Sequence, residues 1–229
     1  MPAPREQVKG WEYVVVDTRS AVKLPQTENI VFLASLCYAG VTAFNAIKEC
    51  QVAPGKWVAV IAARGVEQIS IQYTKAIGLN VIAVNINEEQ LNAANMAGAD
   101  YLLGPSTSTY FDSVQETVKD DIDVAVNLAA SKQEYDDMPP IIKWGGILMV
   151  VGVPSEPLTI DPLDIIFEEY VIKTACSGAA KTLEECLRFQ YREKHQTICR
   201  VCQARRFPFI AGIEENGKAK SAYVLGSRE

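Results

Sequence analysis

Short apolar runs rich in β-branched residues alternate with longer stretches of helical spacing through the middle of the chain. Runs typical of buried strands lie at residues 57–61, 81–84, 101–103, 122–126, 146–151 and 170–175. Helical spacing is found at residues 69–76, 88–96 and about 131–142. Strands that alternate with helices predict a parallel sheet covered on both faces by right-handed crossovers. The expected fold class is therefore α/β, a doubly wound parallel sheet.

Two flanks fall outside this alternation. Before it, residues 13–16 form a strand-like run and residues 28–50 a long helical pattern. After Gly178 the pattern predicts a helix to about residue 192, a basic stretch at 200–206, a helix near 209–216 and a strand at 222–225. We expect the two short terminal strands to lie near each other.

Composition and charge narrow the class of protein. Hydrophobic residues make up 48% and charged residues 22% of the 229 residues, which is typical of a globular chain and argues against disorder. The net charge of −6, without a long basic run, argues against nucleic acid or an anionic membrane as a partner. The chain has no apolar run of about 18 residues, no apolar leader and no disulfide-type spacing of its six cysteines. We therefore expect a cytoplasmic protein with reduced thiols.

Six motifs carry a family resemblance. They lie at residues 39–44, 54–60, 72–79, 97–101, 145–152 and 216–225, beginning with Ala-Gly-Val-Thr-Ala-Phe. In this order they resemble the cofactor half of the zinc-type alcohol dehydrogenases of the medium-chain dehydrogenase/reductase superfamily, whose sheet is Rossmann-like. The resemblance covers residues 28–178 well and about the last twenty residues loosely.

The resemblance implies a truncated member of that family. Its members begin with a catalytic, GroES-like domain that supplies zinc ligands and the substrate pocket. We expect residues 1–27 to be a remnant of that domain and residues 28–229 to form one Rossmann-like domain with a C-terminal helix and strand. The family's zinc-binding Cys before the Ala-Gly-Val-Thr motif is Tyr38 here, with Cys37 one position away, so no zinc is expected.

The phosphate-binding loop departs from the dinucleotide pattern. In G-x-G-x-x-G the glycines provide a tight turn, close approach to the pyrophosphate and close helix packing, but the chain has Ala62, Arg64 and Glu67 there. Arg64 puts a long side chain, and Glu67 a negative charge, where phosphate would lie. Asn85 replaces the ribose-binding acid, and Ala222 replaces an Arg that contacts pyrophosphate in the family. We therefore expect no cofactor, or weak NADH or NADPH binding; alternatively, Arg64 swings out to bind phosphate and pairs with Glu67.

A doubly wound sheet places any reactive site at the carboxyl ends of its strands. The candidate catalytic residues there are Tyr38, Arg64, Glu67 and Asn127, as acid, cation, base and hydrogen-bond donor. The residues that match the altered cofactor site are Thr42, Ala62, Arg64, Glu67, Asn85 and Val153. The alternative is that Arg64 and Glu67 only fill the vacated groove and hold the turn.

Other polar clusters indicate surface rather than chemistry. Cys199-x-x-Cys202 with His195 offers at most three metal ligands, and nearby arginines would repel a cation, so no metal site is expected. The acidic clusters at 120–123 and 135–137 are expected to be solvated.

These observations favour a repurposed dehydrogenase. We expect a non-redox enzyme of the cyclase, isomerase or lyase type that holds an apolar small molecule in the vacated cleft. Two alternatives stay open: a non-catalytic binding protein and a zinc-free NAD(P)H-dependent reductase. Family members pair through the strand equivalent to residues 170–176, so the resemblance also implies a homodimer.

Overall fold

A computed structural model describes Asp17, residues 21–24, Leu33 and residues 35–61, 65–85, 87–104 and 122–192. Within these ranges six parallel strands form one sheet in the order β3-β2-β1-β4-β5-β6. The strands are β1 (Trp57–Ile61), β2 (Asn80–Val84), β3 (Tyr101–Leu103), β4 (Ile122–Asn127), β5 (Ile142–Val150) and β6 (Tyr170–Thr174). This order confirms the doubly wound class. The strands predicted at 13–16 and 222–225 lie outside the described residues.

Helices fill the crossovers and precede the first strand. They are α1 (Val41–Cys50) after a π-helical turn at Leu36–Gly40, α2 (Gly65–Ala76), α3 (Glu88–Met96), α4 (Lys132–Asp136), α5 (Pro162–Ile166) and α6 (Ala180–Arg192). Asn87 caps α3, because its side-chain oxygen accepts a hydrogen bond from the Glu89 N–H at 2.8 Å. Gly78 follows α2 with a positive φ of 83°, a conformation that favours glycine. In the described ranges no helix is long and apolar enough to cross a membrane.

Apolar side chains cover both faces of the sheet. On one face Val58 and Val60 pack with Ile71 of α2, and on the other Ala59 packs in a cluster with Tyr135 of α4. A strand that is buried on both faces reads as a continuous apolar run, which is why the sequence predicts the central strands well.

The amino ends of the central strands meet at a buried carboxylate. Asp123, 6% exposed, accepts hydrogen bonds from the Trp57 N–H at 3.0 Å and from Lys143, and Lys56 Nζ lies 3.4 Å away. Burial opposes ionisation, but the bonds from Lys143 and Trp57 and the two lysine charges hold the pKa of Asp123 below its usual range. The expectation of a solvated cluster is wrong for Asp123, because folding brings the two lysines onto it.

The carboxyl ends of β1 and β4 adjoin at the centre of the sheet. Ile61 of β1 lies opposite Val84 of β2 on one side and opposite Asn127 of β4 on the other. The chain runs outward from β1 to β3 and then returns to β4, so the strand order reverses here. Ligands of doubly wound sheets bind in the crevice at such a switch point.

Candidate functional site at the carboxyl edge

The carboxyl edge is defined here as the ends of β1, β2, β4 and β5, their following loops and the first turn of α2. Asn127 ends β4 at this edge and is fully buried. Its Oδ1 accepts a hydrogen bond from the Ala129 N–H at 2.8 Å. Within the described ranges its buried Nδ2 has no hydrogen-bond partner. An unpaired buried donor costs about 1–3 kcal/mol, so this amide is a candidate hydrogen-bond donor to a ligand.

Gly152 brings the loops after β4 and β5 into backbone contact. A Cβ at this position would lie 1.8 Å from the carbonyl oxygen of Ala129, so a larger residue requires the backbone to move. Val153, one of the predicted cofactor contacts, comes next and is 83% exposed. The loop after β5 is therefore anchored at Gly152 and presents an apolar side chain at the carboxyl edge.

Tyr135 also lies at this edge; the expectation that the cluster 135–137 is solvated is wrong for this residue, because its side chain is buried in the core. It lies on α4, is 6% exposed, and donates its hydroxyl proton to the Gly152 carbonyl at 2.6 Å. Burial raises the pKa of Tyr135 to about 12, so the hydroxyl stays a donor at neutral pH. Its partner is a backbone carbonyl, which no side-chain motif records; the one available signal is an aromatic residue on a short polar helix.

The first turn of α2 carries a buried carboxylate. Glu67 is 4% exposed and has interaction partners within the protein. Two residues earlier, a Cβ at Gly65 would meet no atom of the described residues within 4 Å, so the start of this helix borders open space within that part of the chain. Ala62 and Arg64 lie outside the described residues, and the pairing of Arg64 with Glu67 stays a prediction.

Tyr38 lies on the π-helical turn that precedes α1. Its side chain is 78% exposed, and its backbone carbonyl accepts a hydrogen bond from the Thr42 hydroxyl at 2.7 Å. This hydroxyl bonds within its own helical segment, and the role of Thr42 as a cofactor contact stays a prediction. Of the four candidate catalytic residues, the structure thus places Glu67 and Asn127 on elements that form the carboxyl edge.

Asn85 follows β2 and holds the turn into α3. Its Oδ1 accepts a hydrogen bond from the Asn87 N–H at 2.8 Å, and its own N–H donates to the Leu103 carbonyl at 3.0 Å. The position that bears the ribose-binding acid in dinucleotide folds therefore holds a neutral amide here.

Metal ligands do not cluster in the part of the chain that the structure describes. No three side chains of His, Cys, Asp or Glu come together there as metal ligands do. His195, Cys199 and Cys202, weighed above as a metal site, lie outside the described residues.

Fold and site together define a doubly wound domain of the dinucleotide-binding class. The zinc-binding dehydrogenase family matches residues 65–190, which is more than half of the chain. The chain therefore belongs to this family, and to the medium-chain dehydrogenase/reductase superfamily whose cofactor domain it represents. The resemblance found in the sequence is confirmed.

Two relatives and two solved structures illustrate the match. One alcohol dehydrogenase of Geobacillus stearothermophilus is 30% identical over 218 residues, covering 95% of this chain and 64% of that protein. A second from the same organism is 32% identical over 190 residues, covering 83% and 56%. The alcohol dehydrogenase of Aeropyrum pernix superposes with a TM-score of 0.69 at 27% identity, covering 81% of this chain and 58% of the other. That of Thermotoga maritima has a TM-score of 0.69 at 18% identity, covering 78% and 51%, and shows the fold alone. The chain thus spans less than two thirds of the length of these relatives.

These relatives overturn two expectations. The expected non-redox cyclase, isomerase or lyase is wrong, because the relatives are named alcohol dehydrogenases and none of the findings points to such chemistry. The expectation of no cofactor is also wrong, because the family domain is an NAD(P)-binding domain. That expectation rested on three loop positions, Ala62, Arg64 and Glu67, although the sheet that carries the loop is of the dinucleotide-binding class. The implied homodimer stays a prediction.

Proposed function

We propose that this chain is the dinucleotide-binding part of an alcohol-dehydrogenase-like oxidoreductase and that it binds NAD(H) or NADP(H) along the carboxyl edge. The observation that carries the proposal is the buried Nδ2 of Asn127 beside β1, where the strand order reverses; among the described residues this nitrogen has no hydrogen-bond partner. Family membership and the named relatives support the same ligand class. A bound nicotinamide would supply the hydride acceptor or donor.

The residues at the carboxyl edge fit a dinucleotide in three respects. Asn127 offers a donor, Gly152 lets two loops approach without a side chain between them, and the space around Gly65 is open. A helix start with open space beside it suits a phosphate, because its free N–H groups and the helix dipole attract anions. The buried carboxylate of Glu67 opposes this attraction and lowers the affinity.

Each half of the sheet is expected to bind a different part of the dinucleotide. In this fold class each βαβαβ half holds one mononucleotide, and the acid that binds the adenosine ribose follows the second strand. Here that position is Asn85, so a carboxylate neither binds the ribose hydroxyls nor repels a 2′-phosphate. However, Glu88 and Glu89 in the first turn of α3 add negative charge near this half. On these grounds we propose little discrimination between NADH and NADPH.

Calorimetric titration with NADH and NADPH tests the proposal. We expect saturable binding, weakened about tenfold in Asn127→Asp, which keeps the acceptor for Ala129 and removes the amide donor. The matched control is Asn80→Asp, because Asn80 donates to the Gly55 carbonyl at 2.8 Å at the opposite end of the sheet. No binding at millimolar cofactor, or equal losses in both variants, would refute the assignment.

We also propose that the chain pairs with a second copy through residues 170–176. β6 is an edge strand of the described sheet, and Val171 within it is 47% exposed. Ile166 and Phe167, just before β6, are 69% and 59% exposed, so apolar surface adjoins the unpaired strand. Light scattering should give a dimer for the natural chain and a monomer for Val171→Lys. A natural chain that is monomeric at micromolar concentration would contradict the pairing.

A further inference from the structure

One buried hydroxyl ties together the loops that end β4 and β5. The Tyr135 hydroxyl donates to the Gly152 carbonyl at 2.6 Å and lies 3.3 Å from the Asn127 carbonyl. The tyrosine therefore contacts the last residue of β4 and the second residue after β5 with the same atom.

Further backbone contacts join the end of β4 to residues 151 and 152. The Asn127 carbonyl also accepts hydrogen bonds from the N–H groups of Val151 and Gly152, both at 3.1 Å. Gly152 itself packs against the Ala129 carbonyl. The Gly152 N–H donates to the Asn127 carbonyl, and the Gly152 carbonyl accepts from the Tyr135 hydroxyl. Both backbone polar groups of Gly152 therefore have buried partners. The direction in which Val153 leaves the loop follows from this arrangement.

We propose that Tyr135 is a positioning residue for the nicotinamide half of the dinucleotide. The inference rests on the proposed function and deepens it. In a doubly wound sheet the adenosine half belongs to the side of β1–β3, and the second mononucleotide belongs to the side of β4–β6. The hydroxyl of Tyr135 hydrogen-bonds to the second side, at Asn127 and Gly152. Loss of its hydroxyl leaves the Gly152 carbonyl without this donor, whereas the Asn127 carbonyl keeps its two N–H donors, and it loosens the loop that presents Val153.

Tyr135→Phe tests the proposal, and Tyr170→Phe is its matched control. Tyr170 is also 6% exposed, lies in the same apolar cluster, and donates its hydroxyl proton to Asp164 at 2.9 Å, but it begins β6 at the other end of the sheet. Affinities for NADH and for 5′-AMP are measured by titration for the natural chain and both variants. 5′-AMP occupies the adenosine half alone, so a general loss of structure lowers both affinities together.

The expected result is a five- to tenfold weaker affinity for NADH in Tyr135→Phe, with the affinity for 5′-AMP unchanged within twofold. Tyr170→Phe should change neither affinity, although both variants lose a similar hydrogen bond. Equal losses for NADH and 5′-AMP would make Tyr135 merely structural, and an unchanged affinity for NADH would also overturn the proposal. If the natural chain binds 5′-AMP and not NADH, this inference fails while the adenosine site stands. If it binds neither, the proposed function fails first.

Discussion

The two ends of the parallel sheet treat their polar groups differently. At the amino end, Asp123 binds the Trp57 N–H and two lysines, and Asp100 accepts hydrogen bonds from the Val81 N–H at 2.7 Å and from Lys75 at 2.7 and 2.8 Å. Each of these carboxylates joins neighbouring strands or a strand and a helix. The two carboxylates at the amino end therefore have their charge and hydrogen-bonding needs met by lysines and backbone N–H groups of the protein itself.

The carboxyl edge retains unused binding capacity. The buried Nδ2 of Asn127 has no hydrogen-bond partner in the described ranges, and Val153 leaves most of its apolar surface exposed. Glu67 places a carboxylate at the start of a helix that borders open space. An unpaired buried amide donor is costly in a purely structural region, and Asn127 lies where this fold class binds its ligands. We infer from this difference that the amino end contributes mainly to stability and the carboxyl edge mainly to ligand binding.

The largest expected effect is that of Gly152→Ala at the carboxyl edge. The added Cβ would overlap the Ala129 carbonyl, so we expect a loss of about 3 kcal/mol in the free energy of unfolding and loss of NADH binding. Urea denaturation measures the first and titration the second. Gly65→Ala is the control for stability alone, because a Cβ there meets no described atom within 4 Å, whereas the space beside it belongs to the proposed phosphate site. A stable Gly152→Ala protein with normal binding would remove the close loop contact from the description of the site.

Asp123→Asn should affect the amino end alone. We expect a loss of about 2 kcal/mol in stability, because Lys56 and Lys143 lose their buried charged acceptor. The affinity for NADH should not change. Asp136→Asn, which removes a surface pair with Lys132, should cost less than about 0.5 kcal/mol. Reduced NADH affinity in Asp123→Asn at equal folded fraction would break the separation of the two ends.

The pH dependence of this effect has a definite sign. Folding lowers the pKa of Asp123, so its contribution is complete above the unfolded value of about 3.9 and is lost as the pH falls through the folded pKa. The stability difference between the natural chain and Asp123→Asn should therefore shrink below about pH 4. A difference that stays constant from pH 7 to pH 3 would show that the lysine partners do not stabilise the ionised form.

Glu67→Gln should give the smallest effect, in the direction of tighter binding. A carboxylate about 4 Å from a phosphate would cost roughly 4 kcal/mol at an effective dielectric constant near 20. Glu67 has partners of its own, which offset part of that repulsion, so we expect NADH affinity to rise by about tenfold. Glu184→Gln removes the same charge from α6 and should leave the affinity unchanged. Weaker NADH binding in Glu67→Gln would mean that the carboxylate supports the site.

The central strands β1, β2 and β4 were predictable because each is a mainly apolar run buried on both faces. β1 has the predicted bounds, and β5 begins four residues earlier than predicted, where Lys143 folds onto Asp123. The site was less predictable. Asn127 was proposed as a donor from its place at the end of β4, but Tyr135 was missed because it acts on backbone carbonyls. The loop residues Ala62, Arg64 and Glu67 led to the wrong conclusion on the cofactor. The switch point that binds dinucleotides is set by the strand order of the whole sheet, and a local glycine pattern does not contain that information.

Hydrogen–deuterium exchange with and without saturating NADH tests the division between the two ends most directly. We predict slower exchange on NADH addition at residues 128–131 and 151–154 of the carboxyl edge, and no change at residues 56–57 and 143–145 of the amino end. Protection at the amino end, or an unchanged carboxyl edge, would contradict the assignment of dinucleotide binding to the switch point of this sheet.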